Sequence, residues 1–65
     1  MKTLKQARED KGVMKTAMAK HLGITAKTYA TYEKHPERMR LDTAMRAAEF
    51  LGMSMNDIFF FSNEN

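Results

Sequence analysis

Between Leu22 and Ala26 the chain must turn sharply. Gly23 accepts the positive φ that ends a helix, Thr25 carries the side-chain oxygen that opens the next, and Ile24 is the apolar residue between them. The run before this turn, from about Lys15 to Leu22, sets Met18, Ala19 and Leu22 at helical spacing. The run after it, Ala26 to about Lys34, turns Tyr29 and Tyr32 inward and leaves Ala26, Lys27, Ala30 and Thr31 on the outer side. Two short helices meeting at so tight a junction constrain everything packed around them.

The rest of the chain reads the same way. Thr3 is a good N-cap for a helix from Leu4 to Asp10 with Leu4, Ala7 and Arg8 to one side, ending at Lys11-Gly12. Pro36 breaks any continuation of the third helix, so residues 35–39 form a connector. Leu41, Ala44, Met45, Ala48 and Leu51 recur at helical spacing, with Asp42 suited to the first turn and Gly52 closing the run. Ser54, with Asp57 three residues on, resembles a capping box before Ile58-Phe-Phe and predicts a short fifth helix. No strand, repeat or low-complexity tract is read. The expected fold class is all-α.

Length and composition bound what such a bundle can do. A chain of 65 residues buries one small core, which disfavours a deep catalytic cleft. With no cysteine there is neither a disulfide nor a thiolate metal site, which leaves helix packing or oligomerisation to stabilise the fold and fits a reducing compartment. The longest apolar run is residues 58–61, too short for a signal peptide or a membrane span, so a soluble, cytoplasmic protein is expected. All 11 Lys and Arg lie within residues 1–46 against five acidic residues, a balance of +6, whereas residues 47–65 carry −3. The basic part suits a polyanion and the acidic end does not.

No catalytic set is found. The threonines and tyrosines lack a partnered base, and no glycine-rich phosphate loop exists. His21 and His35 are far apart and lack companions at ligand spacing, so no metal or other cofactor is expected. The seven methionines suit adaptable core filling. A tight helix pair is either a plain αα-corner or a DNA reader. Ala19, small enough to let the next helix approach, with Gly23, Ile24, Tyr29 and Tyr32, would together set the angle at which the third helix enters a groove about 12 Å wide.

The stretch Lys15-Thr-Ala-Met-Ala-Lys-His-Leu-Gly-Ile-Thr-Ala-Lys-Thr-Tyr-Ala-Thr-Tyr-Glu-Lys34 resembles the helix-turn-helix of the Cro/CI-like repressors, the XRE family. Upstream, Ala7-Arg-Glu with Gly12-Val resembles that family's first helix and its exit. Downstream, residues 41–59 resemble its closing helices, and the size and the Asp57-Ile-Phe-Phe ending are similar to those of small phage Cro-type proteins. Two positions depart from the family pattern: Met14-Lys15 stands where a Ser or Thr cap and a Gln are usual, and Arg40 where a Ser often caps the fourth helix. The resemblance implies a compact five-helix lambda-repressor-like domain over residues 1–61, with the helix-turn-helix at helices 2 and 3 and a short polar tail at 62–65.

It also implies a non-enzymatic, sequence-specific regulator of transcription, a repressor acting on a near-palindromic double-stranded operator in the cytoplasm of a bacterial or phage-infected cell. No membrane and no small-molecule ligand are expected. Carried over residue by residue, the base-contacting positions are Ala26, Lys27 and Thr31. Those nearer the DNA backbone are Lys15, Thr16, Lys20, Thr25, Thr28, Lys34, Arg38 and Arg40. Arg8 and Glu33 match positions that form a partly buried ion pair. A homodimer is expected, completed on DNA, with His35, Pro36, Met39, Phe60 and Phe61 as interface candidates. Helical spacing from Leu41 to Phe60 points to an all-helical interface rather than a C-terminal strand pairing. The other reading is a protein-interaction module on this fold, antirepressor- or antitoxin-like, using an apolar patch of Phe50, Phe60 and Phe61.

Overall fold

The computed structural model describes residues 2–59, the last by its backbone alone. Four α-helices carry the fold: α1 Leu4–Asp10, α2 Lys15–Leu22, α3 Ala26–Lys34 and α4 Leu41–Phe50. Single 3-10 turns follow α3 at Pro36–Arg38 and α4 at Met55–Asp57. The two ends of the described chain meet in a short parallel ladder, β1 Lys2–Thr3 beside β2 Ile58–Phe59, with Lys2 opposite Ile58 and Thr3 opposite Phe59.

Local chemistry explains the helix boundaries. At α1 the Thr3 hydroxyl accepts from the Gln6 amide at 3.1 Å while the Gln6 side chain accepts from the Thr3 amide at 3.0 Å, a reciprocal cap. α2 ends on Gly23 in the left-handed region, φ 72° and ψ 29°, with the Ile24 amide donating to the Ala19 carbonyl at 3.0 Å. That bond closes a Schellman-type end and turns Ile24 back onto the core. Thr25 then caps α3 by accepting from the Thr28 amide at 3.0 Å. The two departures from the family pattern are visible here: neither Met14 at the start of α2 nor Arg40 at the start of α4 makes a side-chain cap bond.

The core gathers Leu4 and Ala7 from α1, Met18, Ala19 and Leu22 from α2, Tyr29 from α3, and Ala44, Ala47 and Ala48 from α4. Met39, Leu51 and Ile58 complete it. Three small residues on α4 let that helix lie close against its neighbours, and this corrects the expected face. Leu41 and Met45 sit about a quarter turn from the alanine strip and stay in water, 60% and 53% exposed. A second correction concerns Met39, a candidate for the dimer interface. At 4% exposure it belongs to the monomer's own core, where the connector folds inward after the Pro36 turn.

The expected fifth helix is a single 3-10 turn. The Ser54 hydroxyl accepts from the Asn56 amide, and the Asp57 amide bonds the Ser54 carbonyl at 2.9 Å, which closes the turn after three residues. Ile58 is then extended, φ −121° and ψ 133°, and buries its side chain while its backbone pairs with β1. A strand is thus present where none was read, and it pairs within the chain. Phe60, Phe61 and the tail at 62–65 lie outside the described residues.

Candidate nucleic-acid interface

At 100° per residue, Ala26, Lys27, Ala30, Thr31 and Lys34 share one face of α3, with Tyr29 and Tyr32 on the opposite side. Ala26, Lys27 and Lys34 are exposed, and Ala30 and Thr31 are half-buried. Tyr29 is fully buried, so the helix is held from behind by one large ring while its outer face carries short side chains. The Thr31 hydroxyl donates to the Lys27 carbonyl at 3.2 Å. The Thr25 hydroxyl donates to Thr28 Oγ1 at 3.0 Å, which leaves the half-buried Thr28 hydroxyl its own hydrogen to donate.

The positions expected near a phosphate backbone are distributed over three places. Lys15, Thr16 and Lys20 are exposed on α2, Thr25, Thr28 and Lys34 flank the outer face of α3, and Arg38 and Arg40 are exposed ahead of α4. The first turn of α2 has no capping side chain, so its amides and the Lys15 ammonium together make an electropositive helix start. Arg40 lies 3.4 Å from Asp42, but both are well exposed and the contact is screened.

Internal pairing decides where the charge of the basic half remains. Asp10 pairs with Lys2, Glu33 and Glu9 lie against Arg8, Glu37 lies against His35 and Asp42 against Arg40. Among the described residues Lys15, Lys20, Lys27 and Lys34 pair with no carboxylate. The helix-turn-helix therefore keeps its lysines while the acids are occupied elsewhere.

α3 is anchored to α1 through charge. Arg8 Nε donates to Glu33 Oε2 at 2.6 Å, Arg8 Nη1 donates to the Val13 carbonyl at 2.9 Å, and the Tyr29 hydroxyl donates to Glu33 Oε2 at 2.6 Å. The two charged side chains are 8% and 5% exposed. The hydrogen bond that Arg8 donates to Glu33 holds its pKa above the ordinary value against the opposing effect of burial. Burial, then the Glu33 carboxylate, pushes the Tyr29 phenol well above its ordinary value.

Sequence reasoning missed how α2 is tied to α4. Arg46 Nη2 donates to the His21 carbonyl at 3.0 Å, and the His21 and Phe50 rings stack with centroids 4.1 Å apart and planes 15° from parallel. No local signal announces either contact, because the partners are 25 or more residues apart. Phe50, read as part of an apolar patch, has one ring face covered by His21 and remains 40% exposed. His35 is exposed and Pro36 half-buried on the connector. Among the described residues no three His, Cys, Asp or Glu side chains converge as metal ligands, and no helix is long and apolar enough to cross a membrane.

Two short helices around a left-handed glycine, with lysines along the second helix and its flanks that pair with no carboxylate among the described residues, define a helix-turn-helix domain. The family model for the Cro/C1-type helix-turn-helix DNA-binding domain matches residues 3–64, and the chain belongs to that family. Its partner is double-stranded DNA. No curated protein and no solved structure matches the chain significantly.

Proposed function

We propose that this protein represses transcription by seating α3 in the major groove of a near-palindromic operator as a homodimer. The observation that carries this reading is the outer face of α3, where Lys27 and Lys34, which pair with no carboxylate among the described residues, bracket short side chains that let the helix approach base edges closely. Lys27 faces a base edge with Ala26 and Thr31, while Lys15, Thr16, Lys20, Thr25, Thr28, Lys34, Arg38 and Arg40 hold phosphates and set the register. Lys15 acts as a point charge beside the open start of α2.

One recognition helix reads only a few base pairs, so two copies on half-sites roughly 34 Å apart supply useful specificity. With Met39 committed to the core, His35 and Pro36 are the described candidates left from the expected interface. Selection from random duplexes at fixed salt tests the reading, followed by sedimentation on the selected site. Enrichment of a two-fold symmetric sequence carrying two chains is expected. One chain per intact site at saturation would overturn the dimer, and no enrichment would overturn operator binding.

A protein-interaction role on the same fold has one observation in its favour. Met45, Met53 and Met55 line a shallow, mostly apolar groove beside Asp42, Arg46 and Glu49, with no residue of α3 in its lining. A chain that enriches no duplex yet binds another regulator would establish that role.

A further inference from the structure

We infer that α3 discriminates among operators chiefly through the 5-methyl groups of thymine, with Lys27 as its one strong donor to a base edge. The inference rests on the DNA-binding reading above and names the chemistry that reading leaves open.

The outer face of α3 carries Ala26, Lys27, Ala30, Thr31 and Lys34. It holds no Asn, Gln or Arg, so the planar two-pronged hydrogen bonds those side chains make to adenine or guanine are missing, Lys27 alone can donate to guanine O6 and N7, and no carboxylate is there to accept from cytosine. Thr31 would ordinarily offer a hydroxyl to either a donor or an acceptor. Its hydrogen is already given to the Lys27 carbonyl at 3.2 Å, which fixes the rotamer and leaves an acceptor oxygen and a methyl group. The Thr25 hydroxyl gives its hydrogen to Thr28 Oγ1, and Thr28, which keeps its own, lies at the edge of the face among the positions assigned to phosphates. Lys34 stands at the last turn, whereas the first turns of a recognition helix meet the bases. What remains at the centre is three methyl-bearing side chains around one ammonium.

Thymine is the one base whose major-groove edge presents an apolar group. Short alanine side chains reach it only if the helix backbone comes close, and Ala26 and Ala30, on adjacent turns of the face, permit that approach. Each methyl removed from water against Ala26, Ala30 or Thr31 adds about fourfold in affinity.

The test uses the operator selected by the unaltered protein. Each thymine is replaced in turn by deoxyuridine, which removes the methyl and leaves base pairing intact. At least two thymines per half-site are expected to weaken binding by roughly three- to fivefold each when so replaced. Thr31→Val, which keeps the methyl and loses the hydroxyl, should retain the deoxyuridine effect at every position. Thr31→Ser, which keeps the hydroxyl, should lose roughly three- to fivefold and abolish the deoxyuridine effect at one position. An operator indifferent to deoxyuridine, or a Thr31→Ser protein that binds like the parent while Thr31→Val loses affinity, would overturn the inference and leave operator binding standing. Failure to enrich any duplex would overturn both.

Discussion

Arg8 and Glu33 lie 25 positions apart and meet in a buried ion pair, Nε to Oε2 at 2.6 Å, that fastens the last turns of α3 to α1. Because Arg8 also donates to the Val13 carbonyl and Tyr29 to the Glu33 carboxylate, the pair is satisfied on every side the protein can supply. Such a pair orients the helix more than it stabilises the fold, since desolvation offsets much of the attraction.

Breaking it from one side is costly. Arg8→Ala or Glu33→Ala should each lower unfolding free energy by about 3–5 kcal/mol, because the partner is left charged and buried. The joint replacement Arg8→Met with Glu33→Leu should recover a large part of that loss. Urea unfolding of the parent, the two alanine variants and the Arg8→Ala/Glu33→Ala double variant measures the coupling, and a value within the range of exposed pairs, about 0–1 kcal/mol, would contradict a buried pair.

Tyr29 makes stability fall in alkali. Its folded pKa is raised above the ordinary 10.0, so below that pH both states hold the proton and the contribution is complete. As pH rises beyond 10.0 the unfolded phenol ionises while the folded one stays neutral, and the unfolded state gains. Unfolding curves across this range should show declining stability, with a shallower decline in Tyr29→Phe; equal slopes would remove Tyr29 as the cause.

Gly23→Ala tests the turn. A Cβ built there meets no atom of the described residues within 4 Å, so the penalty expected is that of the left-handed backbone at φ 72°. That penalty is about 1–2 kcal/mol, and Gly23→Asn should lose less, since Asn visits this region more readily. Thermal unfolding ranks the three proteins. A loss well beyond this range would mean that the junction needs glycine for space rather than conformation.

Lys34 and Arg40 are expected to hold phosphates without reading sequence. Lys34→Ala or Arg40→Ala should weaken specific and non-specific duplexes by similar factors and make the salt dependence of log K shallower by about one contact. Titrations at several salt concentrations provide the slope. A selective loss on the specific duplex would instead assign the residue to base readout.

The helices and their ends were legible because their signals act within one turn of where they are written. Thr3, Gly23, Thr25 and Pro36 each set the backbone within a few residues, and the four helices begin where those residues and the apolar spacing place them. The outer face of α3 was legible for the same reason, since Tyr29 and Tyr32 define its inner side.

What tertiary structure decided depends on partners far along the chain. Periodicity placed Leu41, Ala44, Met45, Ala48 and Leu51 on one stripe of α4, but only its neighbours selected the alanine strip for burial and left Leu41 and Met45 in water. Met39 entered the core because the connector turns inward, and Ile58 and Phe59 became extended because β1 lay free beside them. A two-residue ladder has no periodicity to read, and Arg46 has no local mark of the His21 carbonyl it meets. Short-range caps and spacing are written in consecutive residues, whereas the choice among equally apolar faces is made by the surfaces that arrive to cover them.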